Sequence, residues 1–142
     1  DMVRAFAREQ TAAGASLLDV NLGLSGIDEC AMMRRTVAEL AVLTPAMPLV
    51  IDTTSPETAE AALRLYPGRA LFNSISGEKK KLQQILPIVK RYGALPILLP
   101  LTDEGIPVSG AERIKVLEKL KEINLIRNEA QRKKPNSKGG VA

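Results

Sequence analysis

The sequence predicts an α/β fold, with a leading helix followed by about four parallel βα units. Three observations carry that expectation. Helix-length stretches alternate with short apolar runs. The runs recur at intervals of roughly 20 to 33 residues, which suits the crossover that joins parallel strands. One of them, PLVID, is apolar at successive positions, as a strand buried on both faces must be.

The elements follow in order. Met2 to Ala13 reads as a helix that Gly14 punctuates, and ASLLDVN as a strand ending in polar residues. In GLSGIDE, Ser25 and Asp28 are both able to cap the long helix through Leu43. Pro45 and Pro48 stop that helix and admit the strand MPLVID. Thr54 or Ser55 caps the next helix, which Pro56 opens at its first position and Pro67 and Gly68 end. The strand RALFNSIS leads to a helix from about Glu78 to Tyr92, with a break expected near Leu86 because Pro87 removes a helical N–H. ALPILLPL is the fourth strand, made irregular by Pro96 and Pro100. A last helix spans about Ala111 to Arg127.

Charge divides the chain in two. Residues 1–126 hold 15 Lys/Arg against 15 Asp/Glu, so the net +4 comes wholly from residues 127–142. The expected organisation is therefore a neutral folded domain over 1–126 and a basic, disordered tail over 127–142. Charge confined to a tail rich in Asn, Ser, Gly and Pro argues against a nucleic-acid-binding face. There is no His, which removes the commonest metal ligand and general base, and no metal site is expected. The lone Cys30 cannot form an internal disulfide and reads as a packing residue in the second helix. No apolar run approaches the ~20 residues of a membrane span, and no signal peptide opens the chain. A cytoplasmic protein without membrane contact is the expectation.

Candidate site residues lie where strands end. In parallel α/β folds ligands bind at the carboxyl ends of strands, where loops and helix N-termini converge. Asp52 closes PLVID and Asn73 closes ALFN one strand later; Asp19 and Asn21 occupy the same edge of the first strand, and Thr102 and Asp103 that of the fourth. A carboxylate takes N–H donors and an amide satisfies one donor and one acceptor, so Asp52 with Asn73 suits the edge of a flat heterocycle. Competing structural roles are a helix cap for Asp52 and a turn for Asn73. Asp103 and Glu104 read as an ordinary acidic turn, and Lys79 to Lys81 as an exposed helix start.

The words GASLLDVNLG, PLVIDTTSPETAEAAL, YPGRALFNSISGE and YGALPILLPLTDEGIP, in that order over about Thr11 to Lys121, resemble the pterin-binding barrel family. They are closest to its methyltetrahydrofolate branch, which includes the folate domain of cobalamin-dependent methionine synthase and the corrinoid protein methyltransferases. The resemblance implies a partial TIM (β/α)8 barrel, since a complete one typically needs about 250 residues. That length, with no initiator Met, raises the expectation of a fragment.

By the same resemblance Asp52 and Asn73 match pterin-contacting residues, and Asp19 and Asn21 a polar pair at the base of the site. The family's later Asp and Asn, from subsequent strands, have no counterpart here, and no catalytic acid is assigned. The implied substrate is methyltetrahydrofolate, and the implied reaction moves its nitrogen-5 methyl to the cobalamin (corrinoid) of a partner protein. Asp52 and Asn73 would orient the pterin. Dihydropteroate synthase shares the fold, but DVNLGLSGIDE stands where its Gly-Gly, Ser and Arg-Pro stretch is usual, which favours the methyltransferase branch. A non-catalytic half barrel is the remaining alternative. Four parallel strands leave two sheet edges, so a homodimer is also expected.

Overall fold

The computed structural model describes residues 2–132, with side chains described through residue 123. The element order is α1 (Met2–Ala12), β1 (Leu18–Asn21), α2 (Glu29–Leu43), β2 (Leu49–Asp52), α3 (Pro56–Leu65), β3 (Leu71–Ser76), α4 (Lys79–Gln84), α5 (Leu86–Arg91), β4 (Leu95–Leu99) and α6 (Gly110–Arg132). The four strands form one sheet in the order β1-β2-β3-β4, and every neighbouring pair is parallel.

That monotonic order decides the architecture. Parallel crossovers are right-handed, so a sheet that always grows in one direction receives every connecting helix on the same face. A doubly wound sheet reverses direction and is covered on both. The chain is thus an arc of a TIM (β/α)8 barrel, with helices outside and the inner face of the strands open.

The core lies under the helices. Leu18, Val20, Leu49, Ile51, Phe72 and Ile75 point outward from the first three strands and are buried against α2, α3 and α5. Alternation along each strand sends the intervening residues to the inner face. There the register aligns Asp19 with Val50 and Val50 with Leu71, and one level further Asn21 with Asp52 and Asp52 with Asn73. The pairing of β3 with β4 then shifts by one residue between Asn73 and Ile75, and the Asn73–Ser74 peptide is cis.

Local signals explain the helix boundaries. Of the two caps open to α2, Asp28 serves, accepting from Ala31 N at 2.9 Å. For α3 it is Ser55, accepting from Thr58 N at 3.2 Å, with Pro56 pre-set at the helix start. The break expected near Leu86 divides α4 from α5 at Ile85. Gly93, at φ +68, ends α5, and Ala94 N returns to Val89 O at 3.0 Å. Ser109 and Glu112 cap α6 reciprocally, each side chain accepting from the other's backbone N–H.

The last helix differs from expectation. It runs to Arg132, past the expected end at Arg127, so the first part of the expected tail is helical backbone. The remainder, residues 133–142, lies outside the described residues. Among the described residues no helix is long and apolar enough to cross a membrane.

Candidate functional site

Four sequence-selected residues converge on the open inner face. Asn21 and Asp52 are register partners on adjacent strands, and Asn21 Nδ2 donates to Asp52 Oδ2 at 2.7 Å. Asn73 Nδ2 reaches over β2 to Asp19 Oδ2 at 3.4 Å, although Asp19 lies two strands away and one level lower. Each carboxylate therefore has one amide partner. Asp19 and Asn21 are exposed, Asp52 and Asn73 half-buried, so the group faces solvent while lying on a rigid sheet.

The competing structural roles do not account for the two central residues. Ser55, not Asp52, caps α3. Asn73 is a paired residue within β3, and among the described residues no non-glycine residue has positive φ. Partial burial pushes the Asp19 carboxyl above its ordinary value, the Asn73 hydrogen bond pulls it down, and the Asp52 charge raises it further.

The fourth strand behaves otherwise. It ends at Leu99, short of Thr102 and Asp103, and presents Leu95, Ile97 and Leu99 to the open face. One backbone bond lies beyond that end, from Gly77 N to Leu101 O at 2.7 Å, before the chain turns away. Thr102 Oγ1 instead donates to Gly105 O at 3.1 Å within a turn, and Asp103 Oδ1 accepts from Lys79 N at 3.3 Å at the start of α4. The polar end expected for this strand is therefore absent from its tip. At its upper level the inner face is polar on β1 to β3, with Asn21, Asp52 and Asn73, and apolar on β4, with Ile97.

Further polar ties brace the strand ends. Thr53, directly after Asp52, donates to Glu29 Oε1 at 2.5 Å and accepts from Ser55 N at 3.1 Å, which joins the tip of β2 to the first turn of α2. Ser76, fully buried at the end of β3, donates to Glu78 Oε2 at 2.6 Å. That bond, with Lys81 3.4 Å away, holds the Glu78 carboxyl below its usual range. Neither pair was singled out from the sequence. Glu29 and Thr53 lie too far apart along the chain for local pattern to join them, and Glu78 read only as a helix start. Cys30 is a free, half-buried thiol in the first turn of α2, beside Arg34, Glu57 and Arg64 in a shallow outer groove.

Residues 1–133 match the family described as pterin binding enzyme. The chain belongs to that family. Methionine synthase of Mycobacterium tuberculosis (strain ATCC 25618 / H37Rv) is 27% identical over 120 residues, covering 81% of this chain and 10% of the relative. Methionine synthase of Mycobacterium leprae (strain TN) is 26% identical over 120 residues, with the same shares covered. The chain thus spans about a tenth of the length of the curated relatives it matches. The expected resemblance, to a pterin-binding domain of the methionine synthase branch, is borne out. So is the expected arc of a (β/α)8 barrel.

Proposed function

We propose that this pterin binding enzyme domain binds methyltetrahydrofolate on its open inner face and passes the nitrogen-5 methyl to the corrinoid of a partner protein. The observation that carries the reading is the group of Asp19, Asn21, Asp52 and Asn73, gathered on one face of adjacent strands with solvent access. Similarity to methionine synthases supports the choice of pterin.

The donor and acceptor chemistry fits. Among the described residues, Asp52 Oδ1, Asp19 Oδ1 and Asn73 Oδ1 accept no hydrogen bond from the protein, so the face offers acceptors. A tetrahydropterin offers donors to match, namely the 2-amino group, N3–H and N8–H. A charge-assisted bond to Asp52 contributes about 1.5–3 kcal/mol, and a neutral one to Asn73 about 1 kcal/mol. Ile97, level with Asn73, adds an apolar neighbour for the flat ring.

These residues orient the substrate. A methylated tertiary amine is a poor leaving group, so hydrogen-bond or proton donation to nitrogen 5 must develop by the transition state. The corrinoid supplies the acceptor for the methyl group. The chain's own contribution is to fix the pterin plane, so that approach to the methyl is in line. Asp52 and Asn73 hold that plane, and no residue of this chain is assigned as the acid.

The proposal extends to the setting, a cytoplasmic protein that pairs with a second copy of itself. The sheet edges β1 and β4, with exposed Leu95, Ile97 and Leu99 on β4, support self-association. Sedimentation showing a monomer at micromolar concentration argues against the pairing. For the binding reading, methyltetrahydrofolate should raise the melting temperature of the wild-type chain, and Asp52→Ala should abolish the rise. A rise of equal size in the variant rejects the assignment of Asp52.

A further inference from the structure

Asn21 was expected in a polar pair at the base of the site, and both ends of its amide are engaged within the protein. Its Nδ2 donates to Asp52 Oδ2 at 2.7 Å, and its Oδ1 accepts from Gly23 N at 3.1 Å. This orientation is fixed from two sides, because a carboxylate only accepts and a backbone N–H only donates. Flipping the amide would set oxygen against carboxylate and NH2 against N–H. Asn73 differs, since its amide is held at one end only and by a longer contact of 3.4 Å.

The backbone enforces the arrangement. Asn21 and Asp52 are direct register partners on parallel strands, so their side chains leave the same face side by side. Gly23 follows two residues on, where the chain turns out of β1, and its N–H anchors the amide to that loop. One Asp52 oxygen is thereby committed to Asn21. The other is left to a ligand.

We infer that Asn21 is a positioning residue that acts on the pterin only through Asp52, by holding one carboxylate oxygen and presenting the other. This rests on the proposed function and deepens it by separating the residue that touches the ligand from the one that aims it. A preoriented carboxylate needs no reordering when the ligand's N–H groups arrive. Without the tie, Asp52 samples several rotamers and binding weakens although no contact to the ligand has been removed.

A double-mutant cycle read by calorimetric titration with 5-methyltetrahydrofolate tests this on the 142-residue chain. Asn21→Ala should weaken binding about tenfold and Asp52→Asn by more. The double variant Asn21→Ala/Asp52→Asn should be no weaker than Asp52→Asn alone, within about twofold. Additive losses overturn the positioning role, because they mean Asn21 touches the ligand itself.

The exchange Asn21→Asp/Asp52→Asn supplies a second readout and also serves should Asn21→Ala fail to fold. It keeps one amide facing one carboxylate, and keeps an acceptor for Gly23 N, so the melting temperature should stay near wild type. Binding should remain as weak as in Asp52→Asn, since the carboxylate has moved to the wrong strand. Recovery of binding along with the melting temperature reduces Asn21 to a purely structural tie and overturns the inference. Equal binding by wild type and Asp52→Asn is a different pattern, which rejects the proposed function and the positioning role together.

Discussion

Asn73 donates to Asp19 across an intervening strand, at 3.4 Å, above a β2 residue that neither of them pairs with through its side chain. Such a reach suits the inner side of a curved sheet, where side chains from non-adjacent strands converge. Curvature thus turns three separate strand tips into one site. The energetic consequences are open to measurement.

Asp52 and Asn73 should not be equal. Asp52→Ala removes a charge-assisted acceptor and should weaken methyltetrahydrofolate binding by roughly ten- to a hundredfold, whereas Asn73→Ala should cost about tenfold or less. Calorimetric titration of each variant checks the order. A larger loss for Asn73→Ala reverses the assigned roles.

Asp19 supplies a pH signature. Its folded value lies above the ordinary 3.8, with partial burial the largest cause. The folded state therefore holds the proton more tightly than the unfolded chain, and stability falls as pH rises through the interval above 3.8. At neutral pH the ionised carboxylate is a net burden on the fold. Asp19→Asn, which still accepts from Asn73, should melt higher than wild type at pH 7, and the difference should vanish as pH falls below the ordinary value. Melting curves across that range decide it, and a difference that grows on acidification contradicts the sign.

Glu78 should behave in the opposite sense. Its carboxyl is held low chiefly by the Ser76 hydroxyl, so its contribution is present above the ordinary carboxylate range and is lost as pH falls through the depressed value. Glu78→Gln should therefore lower the melting temperature at pH 7 and have little effect in strong acid. An equal effect at both pH values removes ionisation as the cause.

The core can be tested apart from the site. Phe72 is fully buried beneath the helices, next in sequence to Asn73. Phe72→Ala should destabilise the chain by about 3–5 kcal/mol. Denaturant unfolding measures this, and a loss below about 1 kcal/mol denies Phe72 a central place in the packing.

Much of this was legible in the sequence because it is local. The alternation in LDVN and the position of Asn73 at the end of ALFN set which side chains share a face, and Pro56 and Pro87 marked a start and a break. What the sequence left open depends on tertiary geometry. Ser25 and Asp28 have the same capping chemistry, and only the path out of β1 selects Asp28. Asn21 and Asn73 read alike as polar strand-end amides, yet the first is tied to Asp52 at 2.7 Å across a single register step and the second spans two strands to reach Asp19. Thr102 and Asp103 fall past the strand end at Leu99, and each takes up a turn or helix-start bond instead. The end of α6 was misplaced because its basic, polar composition after Arg127 matches a solvated helix as well as a tail.

The most direct test of pterin recognition is a nuclear magnetic resonance titration of the isotope-labelled chain with 5-methyltetrahydrofolate. The side-chain NH2 resonances of Asn21 and Asn73 and the backbone amides of Asp19 and Asp52 should shift together and saturate with one binding constant, while the outer groove around Cys30 and Arg64 stays still. Shifts confined to that outer groove, with the four inner-face residues unmoved at saturating ligand, would contradict it.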